Sequence, residues 1–282
     1  MAVSSQIVSA SFSLAAVACW GTSDFTGGYA AKRSDAFLVT LLAHTSGFAL
    51  MLFLSLGTHA PLPSRSSELW ALAAGALGGT ALAVFYRVLA MGNMGLIAPI
   101  AAVLAAAIPT AYGMSVEGVP HAAALIGFLL AGLGIWLISR PEGKLSRPEG
   151  LSLAVVVGLG FAGFFICINR TGDSSVLWSS AYSRFASLVL VALIVLARRG
   201  RHPLDARDAA LALFAGSLDV TGTALFIRAD QTGRFDTAVV LVSLYPAVTV
   251  LLARFFLKER FTRWKTVGIL AALAAVPMIA LQ

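Results

Sequence analysis

The feature that most limits the fold of this chain is a succession of unbroken apolar runs, each about 20 residues long. At about 1.5 Å per residue, such a run is the length a helix needs to cross the hydrocarbon of a bilayer. Ten can be read, at 8–30, 36–56, 69–91, 95–115, 121–139, 150–169, 175–197, 207–229, 236–257 and 264–281. They do not alternate over about 10 residues, as outer-membrane barrel strands do. Composition points the same way: 59% of the 282 residues are hydrophobic and 12% charged, against about 45–50% and about 25% in soluble domains. Such a chain folded in water would expose far more apolar area than a soluble surface carries. The excess runs along the whole length, so the expected fold is an all-α membrane protein of ten transmembrane helices. Short connections predict that neighbouring spans pack as antiparallel hairpins.

The longest connections are 57–68, 140–150 and 198–207, and none is long enough for a soluble domain. The middle one is rich in Pro, Gly and charge and divides the spans five and five. A shift of 141 residues lays the third span on the eighth, matching Gly75 with Gly216, Thr80 with Thr221, Phe85 with Phe226, Arg87 with Arg228 and Gly92 with Gly233. Glu117 and Glu259 match at a shift of 142, each just before the last span of its half. The expected organisation is a first five-helix repeat at 1–139, a connecting loop at 140–149 and a second repeat at 150–282. Because five is odd, the second half enters the membrane from the opposite side, and inverted repeats of this kind recur among transporters.

With these residues in place the sequence resembles the drug/metabolite transporter superfamily, and most closely its EamA family, over the whole chain. The resemblance rests on the five-plus-five spans, Trp20-Gly21 in the first span, Pro246, Lys258-Glu259-Arg260, and Glu117 before the last span of the first half. The family often carries an Arg early in the second span of each half; Arg184 fills that position in the second half and His44 stands nearest it in the first. The resemblance implies a central cavity between the halves, reached alternately from each side, and secondary transport without an enzymatic step. It favours export of amino acids, their derivatives or toxic analogues, coupled to proton entry. The alternative is facilitated uptake or exchange without a proton.

The net charge of +7 is placed mostly between spans, as the positive-inside rule requires, and no basic, aromatic-interleaved stretch suggests nucleic acid. The connections at 31–35, 140–150, 198–207 and 258–265 hold most of the Lys and Arg. Counted plainly, this puts them in the cytoplasm and both termini outside. Relatives carry their termini inside, so orientation stays open. The cytoplasmic (inner) membrane of the cell is the expected location. The start, MAVSSQIVSA, lacks a basic n-region, so no cleavable leader is expected. Cys19 and Cys167 both lie inside spans and are too few for a disulfide framework. No Walker sequence and no His/Cys cluster is present, so no cofactor and no metal site is expected.

Charge inside a span costs at least about 2.5–3.5 kcal/mol on insertion scales, so it is normally paired or wet. Arg184 and Asp219 lie roughly 18–20 Å from the same membrane face on adjacent spans, a plausible pair. Such a pair is either responsive to protons or solute, or a static brace. Asp24, in WGTSDFTGG, and His44 lie at similar depth and form a second candidate pair able to exchange a proton near neutral pH. The plainer alternative for His44 is a bond to a neighbouring backbone carbonyl, and for Asp24 simple hydration, since the loop follows about six residues later. Arg87 and Arg228 sit near span ends, where they either bind an anion or anchor at the interface. Tyr86 beside Arg87, together with Trp20, Tyr182 and Tyr245, are aromatic candidates for solute contact, with packing as the alternative. Pro99, Pro109 and Pro246 interrupt backbone hydrogen bonding in the fourth and ninth spans and are candidate hinges or kinks.

Overall fold

The computed structural model describes residues 2–90, 94–139, 151–198, 204–258 and 262–280, with backbone alone at 2–4, 83, 85–90, 94–99 and 151. The described residues are helical throughout and contain no strand. The helices are α1 (Ala2–Ala31), α2 (Ala36–Gly57), α3 (Arg65–Ala90), α4 (Met94–Glu117), α5 (Ala122–Ser139), α6 (Leu151–Asn169), α7 (Val176–Ala197), α8 (Ala206–Thr232), α9 (Phe235–Val242), α10 (Tyr245–Phe256) and α11 (Arg263–Ala280). The sequence-read spans coincide with these to within a few residues, except that α1 begins at Ala2, ahead of the span read from residue 8. Eight segments, with α9 and α10 taken together, are long and apolar enough to cross a membrane among the described residues. The helices α1 and α3, read as spans from the sequence, are not among the eight. Both contain side chains outside the described residues, so the eight are no count of the spans of the whole chain.

Side-chain caps start several helices. The Asp35 carboxylate accepts from the Phe37 and Leu38 amides, and the Asp205 carboxylate from the Asp208 amide. Each meets backbone N–H groups that have no partner within the helix. The ninth span is not one helix: it breaks at Ser243 and Leu244, and Pro246 opens α10. Proline has no N–H to continue the ladder, while its fixed φ suits a first helical turn. Every residue of α9 is buried, and none of α10 is. The fourth span behaves differently from expectation. The helix α4 runs unbroken through Pro99 and Pro109, so neither proline ends a helix, and Pro109 is buried in the packing.

Short loops led to an expectation of hairpins, yet, α4 and α5 excepted, consecutive helices touch little. Each helix packs instead on helices of the other half: α1 on α8, α9 and α10; α2 on α7 and α8; α3 on α6 and α7; α4 on α6 and α9; α5 on α11. Exchanging each span for the one five spans on leaves this set of pairings unchanged. Small residues permit the closeness. A Cβ placed on Gly75 would run into the carbonyl of Ser183, and one placed on Gly216 into the carbonyl of Ala43. These are the same contacts in the two halves. The outward faces carry large apolar side chains such as Phe53, Leu129, Leu193 and Leu273. On a water-facing surface so large an apolar area would drive association; lipid accepts it.

Candidate functional site

The site begins with two close approaches to α1. At Gly21 a Cβ would lie 2.8 Å from the Tyr245 carbonyl oxygen and 2.5 Å from Val248, so the start of α10 rests on this residue. The Thr249 hydroxyl donates to the Gly21 carbonyl at 3.1 Å. One residue earlier, the Trp20 indole lies flush on Gly222 of α8 and donates from Nε1 to the Asp219 carbonyl at 2.9 Å. Phe165, Phe226 and Tyr245 surround the indole, with ring centroids 6.0, 6.0 and 6.2 Å away. The pairs with Phe165 and Tyr245 are edge-to-face, the favoured arrangement of aromatic quadrupoles.

Polar groups meet on one side of this cluster. Arg184 of α7 and Asp219 of α8 form an ion pair at 2.7 Å, and a second guanidinium nitrogen donates to the Thr223 hydroxyl at 2.6 Å. The side chain of Arg184 is 9% exposed and that of Asp219 31%, so the carboxylate is the wet end of the pair. Asp24 is exposed although it lies within α1, and makes no hydrogen bond or ion pair among the described residues. Its carboxylate is near enough to Asp219 for the two charges to interact, and Tyr245 is near enough to both. Helices from both halves of the chain therefore supply the site: α1 from the first, and α6, α7, α8 and α10 from the second.

The pairing of Asp24 with His44 expected from the sequence does not form. His44 is 4% exposed and is near enough to Arg184 to feel its charge. Neither ring nitrogen has a hydrogen-bond partner, so the plainer reading, a bond to a backbone carbonyl, also fails. The pairing misled because α2 turns this face toward α7 and α8, whereas Asp24 faces Asp219. Tyr182 is half-buried, and its ring packs against Trp178 at 5.8 Å and not against the Trp20 cluster. Arg228 is exposed near the end of α8. Tyr86, Arg87 and Pro99 lie on α3 and α4, but their side chains are outside the described residues, as are Glu259 and Arg260 altogether. Thr223 and Phe226 are among the members of the site that sequence reasoning passed over. Their signal was present: Thr223 stands four residues after Asp219 on one helix face, and Phe226 is repeat-matched to Phe85.

Both ends of the bundle carry ties among the described residues. At the end where α4 and α6 finish and α9 starts, Arg234 bonds Asp236 at 2.6 Å and the carbonyls of Glu117 and Gly118. The Glu117 carboxylate accepts from the Phe235 amide at 3.1 Å. Asn169 donates to Asp230, and the Ser9 hydroxyl to the Ala229 carbonyl. At the other end, Ser34 donates to Asp208 at 2.6 Å, Arg198 meets Asp35 at 3.1 Å, and the rings of Phe25 and Phe256 lie 5.8 Å apart.

Comparison with known proteins assigns the second part of the chain. Residues 148–281 match the profile of the EamA-like transporter family. This half of the chain belongs to that family. EamA-like transporters fall within the drug/metabolite transporter superfamily, and this match together with the eight candidate spans is that of a multi-pass membrane protein. An uncharacterized protein of Methanocaldococcus jannaschii is 26% identical over 134 residues, which is 47% of this chain and 94% of that one. That relative is thus about half as long as this EamA-like chain. A solved crystal structure of a protein superposes with a TM-score of 0.76 over 96% of this chain and 95% of the other, at 18% identity. A likeness at that identity shows that the two share a fold.

Proposed function

We propose that this EamA-like protein is a secondary transporter that moves small polar or amphipathic metabolites across the cytoplasmic membrane by alternating access. In this reading it exports them, as amino acids, derivatives or toxic analogues, against proton entry. Ten spans form two inverted five-helix halves, 1–139 and 150–282. That arrangement is supported by the exchange-invariant helix pairings and by the repeat-matched contacts of Gly75 and Gly216. The observation that carries the proposal is the Arg184–Asp219 pair beside an unpaired, exposed Asp24, deep in the bundle and built from both halves. A brace between two helices needs the pair alone. A second carboxylate, left exposed and unpartnered among the described residues seven residues before the end of α1, supports a site that a charged group enters. The dense ties around Arg234 and Glu117 close one end. The exposed Asp24, seven residues before the end of α1, supports access from the other.

Proteoliposomes test the proposal. A pH gradient imposed on vesicles holding the wild-type protein is expected to drive accumulation of labelled solute from an amino-acid and amine mixture. Asp219→Asn is expected to abolish proton-driven flux while the purified protein still folds, melting somewhat lower than wild type because Arg184 loses its anion. Undiminished flux in that variant removes Asp219 from the mechanism. Flux that ignores the pH gradient in the wild type replaces coupled export with facilitated uptake or exchange.

A further inference from the structure

We infer that the rim of the bundle where α1 finishes and α8 starts binds anionic phospholipid, with the headgroup phosphate held by Arg33 and Arg207 beside the Tyr29 ring. This rim lies apart from the Arg184–Asp219 site, and its occupant is a lipid of the surrounding bilayer, not a transported solute. Arg33, two residues beyond the end of α1, donates to the Tyr29 hydroxyl at 3.2 Å and sets its guanidinium carbon 5.5 Å from the centroid of that ring. Arg207, the second residue of α8, sets its own guanidinium carbon 6.0 Å from the same centroid. An aromatic face attracts a guanidinium group, but two such groups gathered on one ring also repel each other. A phosphate accepts hydrogen bonds from both and removes the repulsion.

The carboxylates of this corner are engaged elsewhere. Asp208 is 1% exposed and accepts from Ser34 at 2.6 Å; its Oδ1 lies 3.8 Å from Arg33 Nε, too far for a hydrogen bond. Asp35 caps α2 and pairs with Arg198, and Asp205 caps α8. Arg207 forms no ion pair among the described residues, and Lys32, Arg33 and Arg207 are all exposed. The opposite end differs: Arg65 and Arg234 are each paired with a carboxylate, and Arg170 stands singly over Trp70 at 5.4 Å. Depth and apolarity select a lipid over a free anion. Tyr29 lies in the last turn of α1 and Arg207 in the first turn of α8, the level at which aromatic rings and cations meet headgroups. Phe214, seven residues after Arg207 and so on the same face of α8, is 52% exposed and about 10 Å deeper. An acyl chain continuing from a phosphate at Arg207 would lie along it.

The test uses the full-length protein in detergent micelles at low salt, with dioleoyl phosphatidylglycerol, dioleoyl phosphatidylcholine and inorganic phosphate as probes. Thermal unfolding is followed against probe concentration. Each arginine at an anionic surface contributes about fivefold, so phosphatidylglycerol is expected to raise the melting temperature at a concentration about 25-fold below phosphatidylcholine. Arg33→Gln and Arg207→Gln are each expected to cut that preference about fivefold and together to abolish it, whereas Arg170→Gln leaves it unchanged. Raising the salt to about 0.5 M is expected to weaken the preference in the wild type. If the double variant does not fold, Arg207→Gln alone carries the test, since Arg207 has no ion pair among the described residues to lose. No preference for phosphatidylglycerol, a preference untouched in folded Arg207→Gln protein, or one lost equally in Arg170→Gln overturns the inference. Inorganic phosphate that stabilises as strongly as phosphatidylglycerol makes the pair a site for a free anion and overturns the assignment to lipid.

Discussion

Gly222→Ala is the substitution whose consequence can be worked out most fully. A Cβ at this position would lie 2.6 Å from Trp20 Cδ1 and 2.8 Å from Nε1. Ordinary carbon contacts are about 3.5–4.0 Å, so the indole must retreat by about 1 Å. It has little room, because Trp20 is 8% exposed and stands within ring contact of Phe165, Phe226 and Tyr245. Moving away from α8 also stretches its 2.9 Å bond to the Asp219 carbonyl. Overpacking of a filled interior costs about 1–3 kcal/mol, and a buried donor left unpaired about 1–3 more. The better helix propensity of Ala returns about 1 kcal/mol. The net expectation is a loss of about 3 kcal/mol, read as a melting temperature lowered by roughly 5–10 °C. Gly28→Ala and Gly132→Ala are controls, since nothing lies within 4 Å of a Cβ at either position; both are expected to melt at or slightly above wild type. In a Trp20→Leu background the Gly222→Ala penalty is expected to shrink by at least half, because the clashing atoms are gone. A Gly222→Ala protein as stable as wild type, or a penalty unchanged without the indole, would refute the seating of Trp20 on α8.

Three further outcomes follow from the same contacts. Gly75→Ala and Gly216→Ala each drive a methyl group into a backbone carbonyl, of Ser183 and Ala43 respectively, and are expected to destabilise by similar amounts, about 3 kcal/mol or more; thermal melts showing one tolerated and the other not would break the equivalence of the two contacts. Arg184→Leu leaves Asp219 without its cation and is expected to cost about 2 kcal/mol, most of which Asp219→Leu in the same protein recovers, because the penalty comes from the stranded charge; a double variant no better than the single one by thermal melt counts against that account. Arg234→Ala strands Asp236, which is 0% exposed, and is expected to cost about 3 kcal/mol; cysteines placed near the start of α9 should then react faster with water-soluble thiol reagents, and unchanged labelling would mean that Arg234 does not hold this end shut.

Length and hydropathy made the helices legible because lipid leaves a crossing chain few other choices: each backbone N–H must find its partner within the segment. The depth argument for Arg184 and Asp219 worked for the same reason, since residue count converts directly into distance along a helix. Lateral packing was not legible. Nothing in the runs at 36–56 and 175–197 says that α2 and α7 meet, and loop length suggested hairpins that the helices do not make. Asp24 and His44 were matched by depth alone; the rotation of α2 placed His44 toward Arg184 instead. The break in the ninth span was signalled by Pro246, but Pro109 sends the same signal from inside a continuous α4. A proline marks where a helix can break; the surrounding packing decides whether it does.

The two halves agree in their skeleton and differ in their chemistry, and the difference falls where the site lies. Gly75 and Gly216 make matching contacts, yet the helix facing Gly75 carries Arg184 while the helix facing Gly216 carries His44 near the corresponding position. Displaced by the same 141 residues as the glycines, Asp219 corresponds to Gly78, whose neighbour is a ring of Phe164. One side of the bundle axis therefore holds an ion pair, and the other holds an apolar contact. A scaffold that is symmetric with charges on one side can rock between two similar packings at little cost in apolar contact. Its charged site meanwhile stays fixed to α7 and α8. In the alternating-access reading proposed above, strong cross-half packing and one-sided polarity are the two properties that would let a small bundle expose the same carboxylates to either end in turn. The Asp24 carboxylate, held on α1 by the seat of Trp20 on Gly222, is the part of that site that a rocking motion would carry between the two ends.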